Sequence, residues 1–118
     1  MNLRSILFIF LISFAYRGNI HAQTQLEMNI SAAKSYKQAD YELNKIYKLL
    51  MNKLNPSEKN LLIKAQNNWI KFRDSHCIFA GQEYAGGSIQ PMVISNCLAE
   101  TTRERTKNLK KNLDNRSL

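Results

Sequence analysis

The sequence predicts an all-α fold, an antiparallel three-helix bundle of long helical hairpins, pinned by one disulfide and preceded by a cleaved signal peptide. Three observations support this. Apolar residues recur every three or four positions in three segments, helix-breaking residues separate those segments, and two cysteines lie symmetrically about a glycine pair. The chain has 118 residues, 44% hydrophobic, with four Gly and two Pro. This composition fits one globular domain and excludes collagen-like and disordered classes.

The N-terminus has the pattern of a secretory signal peptide over residues 1–22. A basic start through Arg4 precedes an apolar run of 12 residues, Ser5 to Tyr16. That run is shorter than the roughly 20 apolar residues of a bilayer-spanning helix. We expect cleavage after Ala22. No cysteine lies at the cleavage site, so we expect no lipoprotein anchor. The mature domain would then be residues 23–118, periplasmic or extracellular, with no transmembrane span.

The positive charge changes meaning once the chain is exported. The 17 basic residues exceed the nine acidic ones, for a net charge of +8. Removal of residues 1–22 takes away Arg4 and Arg17 and leaves +6. Chromosomal nucleic acid is then not a plausible partner, so the candidates are the anionic cell envelope, another envelope protein or a secreted enzyme. Basic side chains are also common on solvated helices, and that interpretation stays open.

Two long helices are predicted in the first two thirds of the mature chain. Helix one should run from about Gln25 to about Lys53, with one face formed by Ala32, Tyr36, Ala39, Leu43, Ile46 and Leu50. Asn55, Pro56 and Glu58 form a start signal for helix two, which should reach about Tyr84. Its inward stripe is predicted to be Leu62, Ala65, Trp69, Phe72, His76 and Phe79.

The third helix follows a glycine turn. Residues 85–88, Ala-Gly-Gly-Ser, should end helix two because adjacent glycines carry low helix propensity. Helix three opens between Ser88 and Pro91 and frays from about Asp114. Its predicted inward face is Ile94, Leu98, Thr101 or Thr102, Arg105, Leu109 and Leu113.

The two cysteines predict a disulfide. Cys77 and Cys97 lie in the exported part, where disulfides form and persist. Their midpoint is Gly87, so they would face each other if helices two and three fold back at the glycine pair. The alternative, a metal site with His76, lacks the paired short ligand spacings of zinc sites. We expect neither a metal nor a cofactor.

Catalytic chemistry is sparse in the mature chain. His76 is its single histidine, and its neighbours Asp74, Ser75 and Cys77 look superficially catalytic. Adjacent residues on a helix point about 100° apart, so they do not converge on one reacting atom. Because His76 falls on the predicted inward stripe, we expect a packed histidine. The sequence therefore predicts no catalytic residue and no enzyme.

Polar residues accompany the apolar stripes at corresponding levels of the three helices. They are Asp40, Asn44, Gln66, Arg73, Asp74, Thr102 and Arg105. Folding the chain at residues 54 and 87 places Asp40, Trp69 and Arg105 at one level. An arginine stacked on an indole and paired with a carboxylate would form an interhelical clamp. We favour a structural layer that fixes helix register over a binding site.

These residues also resemble a known family. The run from Ala65 to Cys77, AQNNWIKFRDSHC, is followed by Gly86-Gly87-Ser88, Cys97 and the segment TRER at 102–105. Together they resemble the LprI family, small exported bacterial domains named after a mycobacterial lysozyme inhibitor. The run ADYELNKIY at 39–47 is similar to the helix-one signature of that family and adds Tyr47 to the polar and aromatic layer. Many members carry a further cysteine where this chain has Ser31.

The resemblance spans about residues 25–109 and implies a helical domain with lysozyme inhibition as its activity. We therefore predict an exported binding protein that contacts lysozyme or a related peptidoglycan-degrading enzyme. The candidate binding tip is Tyr84, Gly86, Gly87 and Ser88, with a plain helix connection as the alternative interpretation. Animal-type lysozymes are basic, so a net charge of +6 opposes long-range attraction. A non-enzymatic envelope-binding or structural module with a basic helical surface is the alternative function.

Overall fold

The protein consists of three helices packed together. The computed structural model describes the backbone of residues 3–117 and the side chains of residues 24–117. Helix α1 spans Leu3–Met51, α2 spans Pro56–Gly81 and continues as a short 3-10 helix at Gln82–Tyr84, and α3 spans Gln90–Asn115. The predicted all-α, three-helix fold is confirmed. The predicted signal peptide, residues 1–22, lies outside the described side chains, and its cleavage stays a prediction.

The turn between α1 and α2 is built as the sequence predicts. The Asn55 side chain accepts a hydrogen bond from the Glu58 backbone N–H at 2.9 Å, and the Glu58 carboxylate accepts one from the Asn55 N–H at 3.0 Å. This reciprocal pair satisfies two of the N–H groups left free at a helix start. Arg116 at the end of α3 lies 3.0 Å from the other Glu58 oxygen. The capped turn therefore also holds the C-terminal end of α3.

Helices α1 and α3 run parallel and pack closely. Gln25 reaches Met92, and Ser35 accepts a hydrogen bond from Arg103, so the two helices keep a nearly constant offset. Apart from Leu43, Leu50 and Leu109, the buried residues of this pair are small on both sides: Ala32 and Ala39 on α1, Ala99 and Thr102 on α3. Small side chains let helix axes approach more closely than leucines do. Helix α1 consequently makes its main backbone approach to α3 rather than to α2.

The apolar core lies toward the α1–α2 turn. Leu43, Leu50 and Leu109 are its buried centre. The half-buried residues around this centre are Ile46, Tyr47, Leu54, Leu62, Trp69 and Leu113. The predicted inward faces of helices one and three supply most of these residues, so those two predictions are confirmed.

The predicted inward face of helix two is correct at Leu62 and Trp69, which pack against the leucine core, and wrong at the other four positions. Ala65, Phe72, His76 and Phe79 are exposed, and Phe79 keeps 77% of its surface. The buried residues of α2 are Gln66, Arg73, Cys77 and Gly81. Each lies one or two positions after a predicted residue, so the buried face is rotated by about 100° or more about the helix axis from the predicted face. His76 is therefore not a packed histidine; it stacks on Phe72 at the surface, with ring centroids 5.3 Å apart.

The disulfide and Gly81 let α2 pack closely on α3 near the connection between these two helices. Cys77 and Cys97 are bonded, with Cα atoms 5.5 Å apart, as predicted. One turn further, Gly81 is buried against Ile94, and a methyl group added there would lie 2.5 Å from the Ile94 Cγ1 atom. The two helices approach closely because residue 81 has no side chain. This role of Gly81 was not among the predictions from sequence.

Candidate functional site

A buried arginine occupies the centre of the polar layer. Arg73 is only 6% exposed, and its guanidinium carbon lies 5.1 Å from the centre of the Trp69 ring and 5.4 Å from that of Tyr36. Two aromatic rings thus lie against one cation, which their π-systems attract. Trp69 comes from α2 and Tyr36 from α1, so Arg73 bridges the two helices with its own side chain.

Two carboxylates at the surface balance the charge of Arg73. Asp74 accepts a hydrogen bond from Arg73 Nε at 2.9 Å and lies 2.8 Å from a terminal nitrogen. Asp40 of α1 lies 3.8 Å from the other terminal nitrogen, and Asn44 donates to Asp40 at 3.2 Å. Both carboxylates are about half exposed. The methylene stem of Arg73 is therefore buried while its charge meets acids that remain in contact with water.

A second arginine, Arg105 of α3, also lies against the indole. Its guanidinium carbon is 5.8 Å from the Trp69 ring centre, and its Nε donates to the Gln66 side chain at 3.0 Å. Asp40, Trp69 and Arg105 were predicted to meet; in the structure the carboxylate of Asp40 lies beside Arg73, and Gln66 is the partner of Arg105. Trp69 therefore contacts two guanidinium groups.

Three further residues complete the description of the layer. Thr102 is fully buried, and its hydroxyl has no hydrogen-bond partner among the described residues. Tyr47 packs against the leucine core. Tyr36 belongs to the layer but was not predicted as a member of it. Burial raises the pKa of its hydroxyl, Asp40 and Asp74 act in the same direction, and Arg73 opposes them. The phenol stays protonated at neutral pH.

The predicted binding tip is an exposed, hydrogen-bonded turn. The Ala85 N–H donates to Gln82 and the Gly87 N–H donates to Tyr84, at 3.1 and 2.9 Å. Gly86 has a φ of 78°, which a side chain would strain. Asn29 of α1 donates to the Ser88 carbonyl at 3.0 Å. The turn is thus tied to α1 as well as to the ends of α2 and α3, while Tyr84 is 38% exposed.

A second exposed surface runs along α2 beside the packed face. We call it the outer stripe of α2, and it consists of Leu61, Ala65, Phe72 and Phe79. Leu61 and Phe72 keep 66% and 58% of their surface. Large apolar side chains grouped on one face mark interaction surfaces more often than isolated ones do.

The described residues contain neither a candidate metal-binding cluster nor a candidate membrane span. Within them no three His, Cys, Asp or Glu side chains come together to hold a metal ion. None of the helices in this part of the chain combines the length and apolar character of a membrane span.

Comparison with known proteins places this arrangement in a family. The family model described as lysozyme inhibitor LprI matches residues 17–109, which include the polar layer, the disulfide and the tip. The chain belongs to the LprI family. An uncharacterized protein of Rhizobium meliloti (strain 1021) is 43% identical over 102 residues, covering 75% of this chain and 73% of that protein. No solved structure matches the chain.

LprI membership agrees with the resemblance drawn from the residues. The runs that carry the resemblance, 39–47 and 65–77, supply the Arg73 and Trp69 arrangement and its partners on α1. The disulfide of this LprI chain is consistent with an oxidising compartment.

Proposed function

We propose that this LprI protein is exported and binds lysozyme or a related peptidoglycan-degrading enzyme, inhibiting it by protein–protein contact and without catalysis of its own. The match to the lysozyme inhibitor family over residues 17–109 carries the proposal. The disulfide supports export, because such bonds persist outside the cytoplasm.

The tip is the part of the chain that we assign to the enzyme contact. Tyr84 offers an exposed aromatic ring, the residue type that anchors protein interfaces. The turn behind it is held by backbone hydrogen bonds, by Asn29 and by the Cys77–Cys97 bond. A segment ordered before binding loses less conformational entropy when it binds. A fixed turn with one aromatic anchor suits insertion into an enzyme cleft.

The electrostatics predict how such a complex would respond to salt. The mature chain would carry +6, and animal-type lysozymes are also basic. Like charges slow association at low ionic strength, and salt screens that repulsion. Inhibition through the tip should therefore persist or strengthen as salt is raised to physiological ionic strength.

A turbidity assay tests the proposal. The exported, oxidised protein is titrated into lysozyme acting on a peptidoglycan suspension, and inhibition should saturate. Tyr84→Ala should raise the half-inhibiting concentration by about tenfold, the effect of losing one interface anchor. Tyr41→Ala is the matched control, since Tyr41 is an exposed tyrosine on α1 outside the tip. Full lysozyme activity at saturating protein contradicts the inhibitor role, and equal loss in both variants contradicts the tip.

The outer stripe of α2 favours a second candidate function, attachment to an anionic envelope surface. Between Glu58 and Glu83 the chain carries one acid, Asp74, which pairs with Arg73, whereas three lysines keep this segment basic: Lys59, Lys64 and Lys71. An apolar face with neighbouring lysines suits a lipid interface. Sedimentation with anionic vesicles should then fall on raising salt and in the double variant Phe72→Ser/Phe79→Ser. Equal sedimentation with neutral vesicles would contradict it.

A further inference from the structure

An open groove lies between the start of α2 and the end of α3. Its volume is about 370 Å³, within the range of roughly 300–1,000 Å³ for small-molecule sites. Its apolar lining is formed by Leu50, Leu54, Leu61, Leu62 and Leu109. Leu50 and Leu109 form the buried floor, and Leu61 is exposed at the rim.

The polar residues of this groove leave one positive charge without a partner. Glu58 and Arg116 both line it, and they pair with each other at 3.0 Å. Arg105 also lines it, and within the described part of the chain it makes no ion pair. Its single hydrogen bond goes from Nε to the neutral side chain of Gln66. The two terminal guanidinium nitrogens have no hydrogen-bond acceptor among the described residues.

The environment of Arg105 makes this charge costly in the free protein. The residue is half-buried against Trp69, and burial lowers the pKa of its guanidinium. A guanidinium in a partly apolar site gains more from a carboxylate or phosphate than one in water does, because the local dielectric constant is lower. Apolar walls and one unpaired cation together describe the complement of an anionic amphiphile.

We propose that the leucine-lined groove between α2 and α3 binds an anionic amphiphile, with the acyl chain among the leucines and the anionic head group on Arg105. The ligand comes either from a free fatty acid or from a lipid of the envelope, which share this chemistry. The site is separate from the tip assigned to the enzyme contact, which lies beyond the disulfide at the other end of α2.

Trp69 provides a direct reporter for this proposal. It is the only tryptophan of the chain. It packs against the leucine cluster that includes Leu50 and Leu109, the floor of the groove, and it lies beside Arg105. Dodecanoate, kept below its micelle concentration, is titrated into the exported, oxidised protein while tryptophan emission and heat are followed. We expect saturable binding with one site. The uncharged detergent dodecyl maltoside should bind at least about tenfold more weakly, since it lacks the charge that pairs with Arg105.

Three variants locate the site. Arg105→Gln should weaken dodecanoate binding by about tenfold or more, whereas Arg103→Gln, which removes an exposed arginine of the same helix, should leave it unchanged. Leu61→Glu places a negative charge at an exposed rim position and should also weaken binding without disturbing the core. Thermal melts of each variant establish that it is folded. If Arg105→Gln does not fold, Leu61→Glu decides the result.

The outcomes separate the ligand sources and the proposal itself. Saturable dodecanoate binding that depends on Leu61 and Arg105 supports a fatty-acid site. A Trp69 emission change with anionic vesicles alone, lost in the same variants, supports a lipid of the envelope as the source. Equal affinity for dodecanoate and dodecyl maltoside, or unchanged binding in Leu61→Glu, overturns the proposal. None of these measurements involves lysozyme, so their failure is distinct from failure of the inhibitor function.

Discussion

Removal of the Cys77–Cys97 bond should destabilise the protein substantially. The bonded residues are 20 positions apart, and in the chain-entropy model closing a loop of that size stabilises the fold by about 3 kcal/mol. For a domain of this size each kcal/mol shifts Tm by about 4–8 °C, so reduction should lower Tm by about 12–24 °C. The loss falls on α2 and α3, because the bond joins those two helices.

Circular dichroism melts of the oxidised and reduced protein measure this shift. Cys77 is fully buried, so the bond should be reduced in denaturant before the protein is refolded with reductant present. The double variant Cys77→Ser/Cys97→Ser, melted with and without reductant, is the control for effects of the reductant. Coincident melting curves for oxidised and reduced protein would refute the loop-closure argument, as would a reductant-dependent shift in the double variant.

Four further substitutions test the helix packing and the cap at the start of α2. Gly81→Ala should lower the free energy of unfolding in urea by about 1–2 kcal/mol, because the added methyl meets Ile94 within 3 Å and strain outweighs the gain in helix propensity; an unchanged midpoint would contradict the close approach. Arg73→Ala should lower the free energy of unfolding by about 3 kcal/mol through lost packing. Asp40→Ala should lower it by less than about 1 kcal/mol, since the Asp40 carboxylate is half exposed and lies 3.8 Å from the Arg73 guanidinium. The reverse ranking would argue against a layer that fixes the register of the helices. Hydrogen bonds from Asn55 and Arg116 lower the pKa of Glu58. The stability that Glu58 contributes is therefore present above the ordinary glutamate pKa of about 4.3 and is lost as pH falls through the lowered pKa. Glu58→Gln should flatten this part of the pH dependence of the free energy of unfolding, measured in urea at several acidic pH values.

Helix positions and the disulfide could be predicted because the signals were local or symmetric. The Asn55 cap, Pro56 and the Gly86-Gly87 pair each act within one turn of chain. The arithmetic midpoint at Gly87 needed only that two helices fold back at a short loop. The inward faces of α1 and α3 followed from apolar spacing, because their buried residues are apolar or small.

The face of α2 could not be predicted from apolar spacing, because the buried residues include Gln66 and Arg73 while Phe72 and Phe79 are exposed. A signal was nevertheless present. A disulfide to α3 requires Cys77 to face α3, and stepping back from Cys77 by four, four and three positions gives Arg73, Trp69 and Gln66. The predicted bond and the predicted stripe agreed at Trp69 but disagreed at Ala65, Phe72 and His76, and the bond was the stronger constraint.

The candidate site shows the same limit. Spacing placed Trp69 level with Arg105, but it did not show that Asp40 would lie by Arg73, nor that Tyr36 would flank it. Those pairings depend on side-chain lengths and on how closely α1 approaches α3 at small buried residues such as Ala32 and Ala99. The spacing of residues along one helix gives no information about either quantity.

The parallel packing of α1 on α3 has a consequence for the order of folding. Gln25 meets Met92 across 67 residues, whereas α2 and α3 meet across a short turn. Contacts distant in sequence form late because long loops must close first. The α2–α3 hairpin is therefore the expected first unit, and α1, although it leaves the ribosome first, docks last. If the Cys77–Cys97 bond forms before α1 docks, α1 meets an α2–α3 hairpin that is already assembled. Oxidation should therefore accelerate the slowest refolding phase.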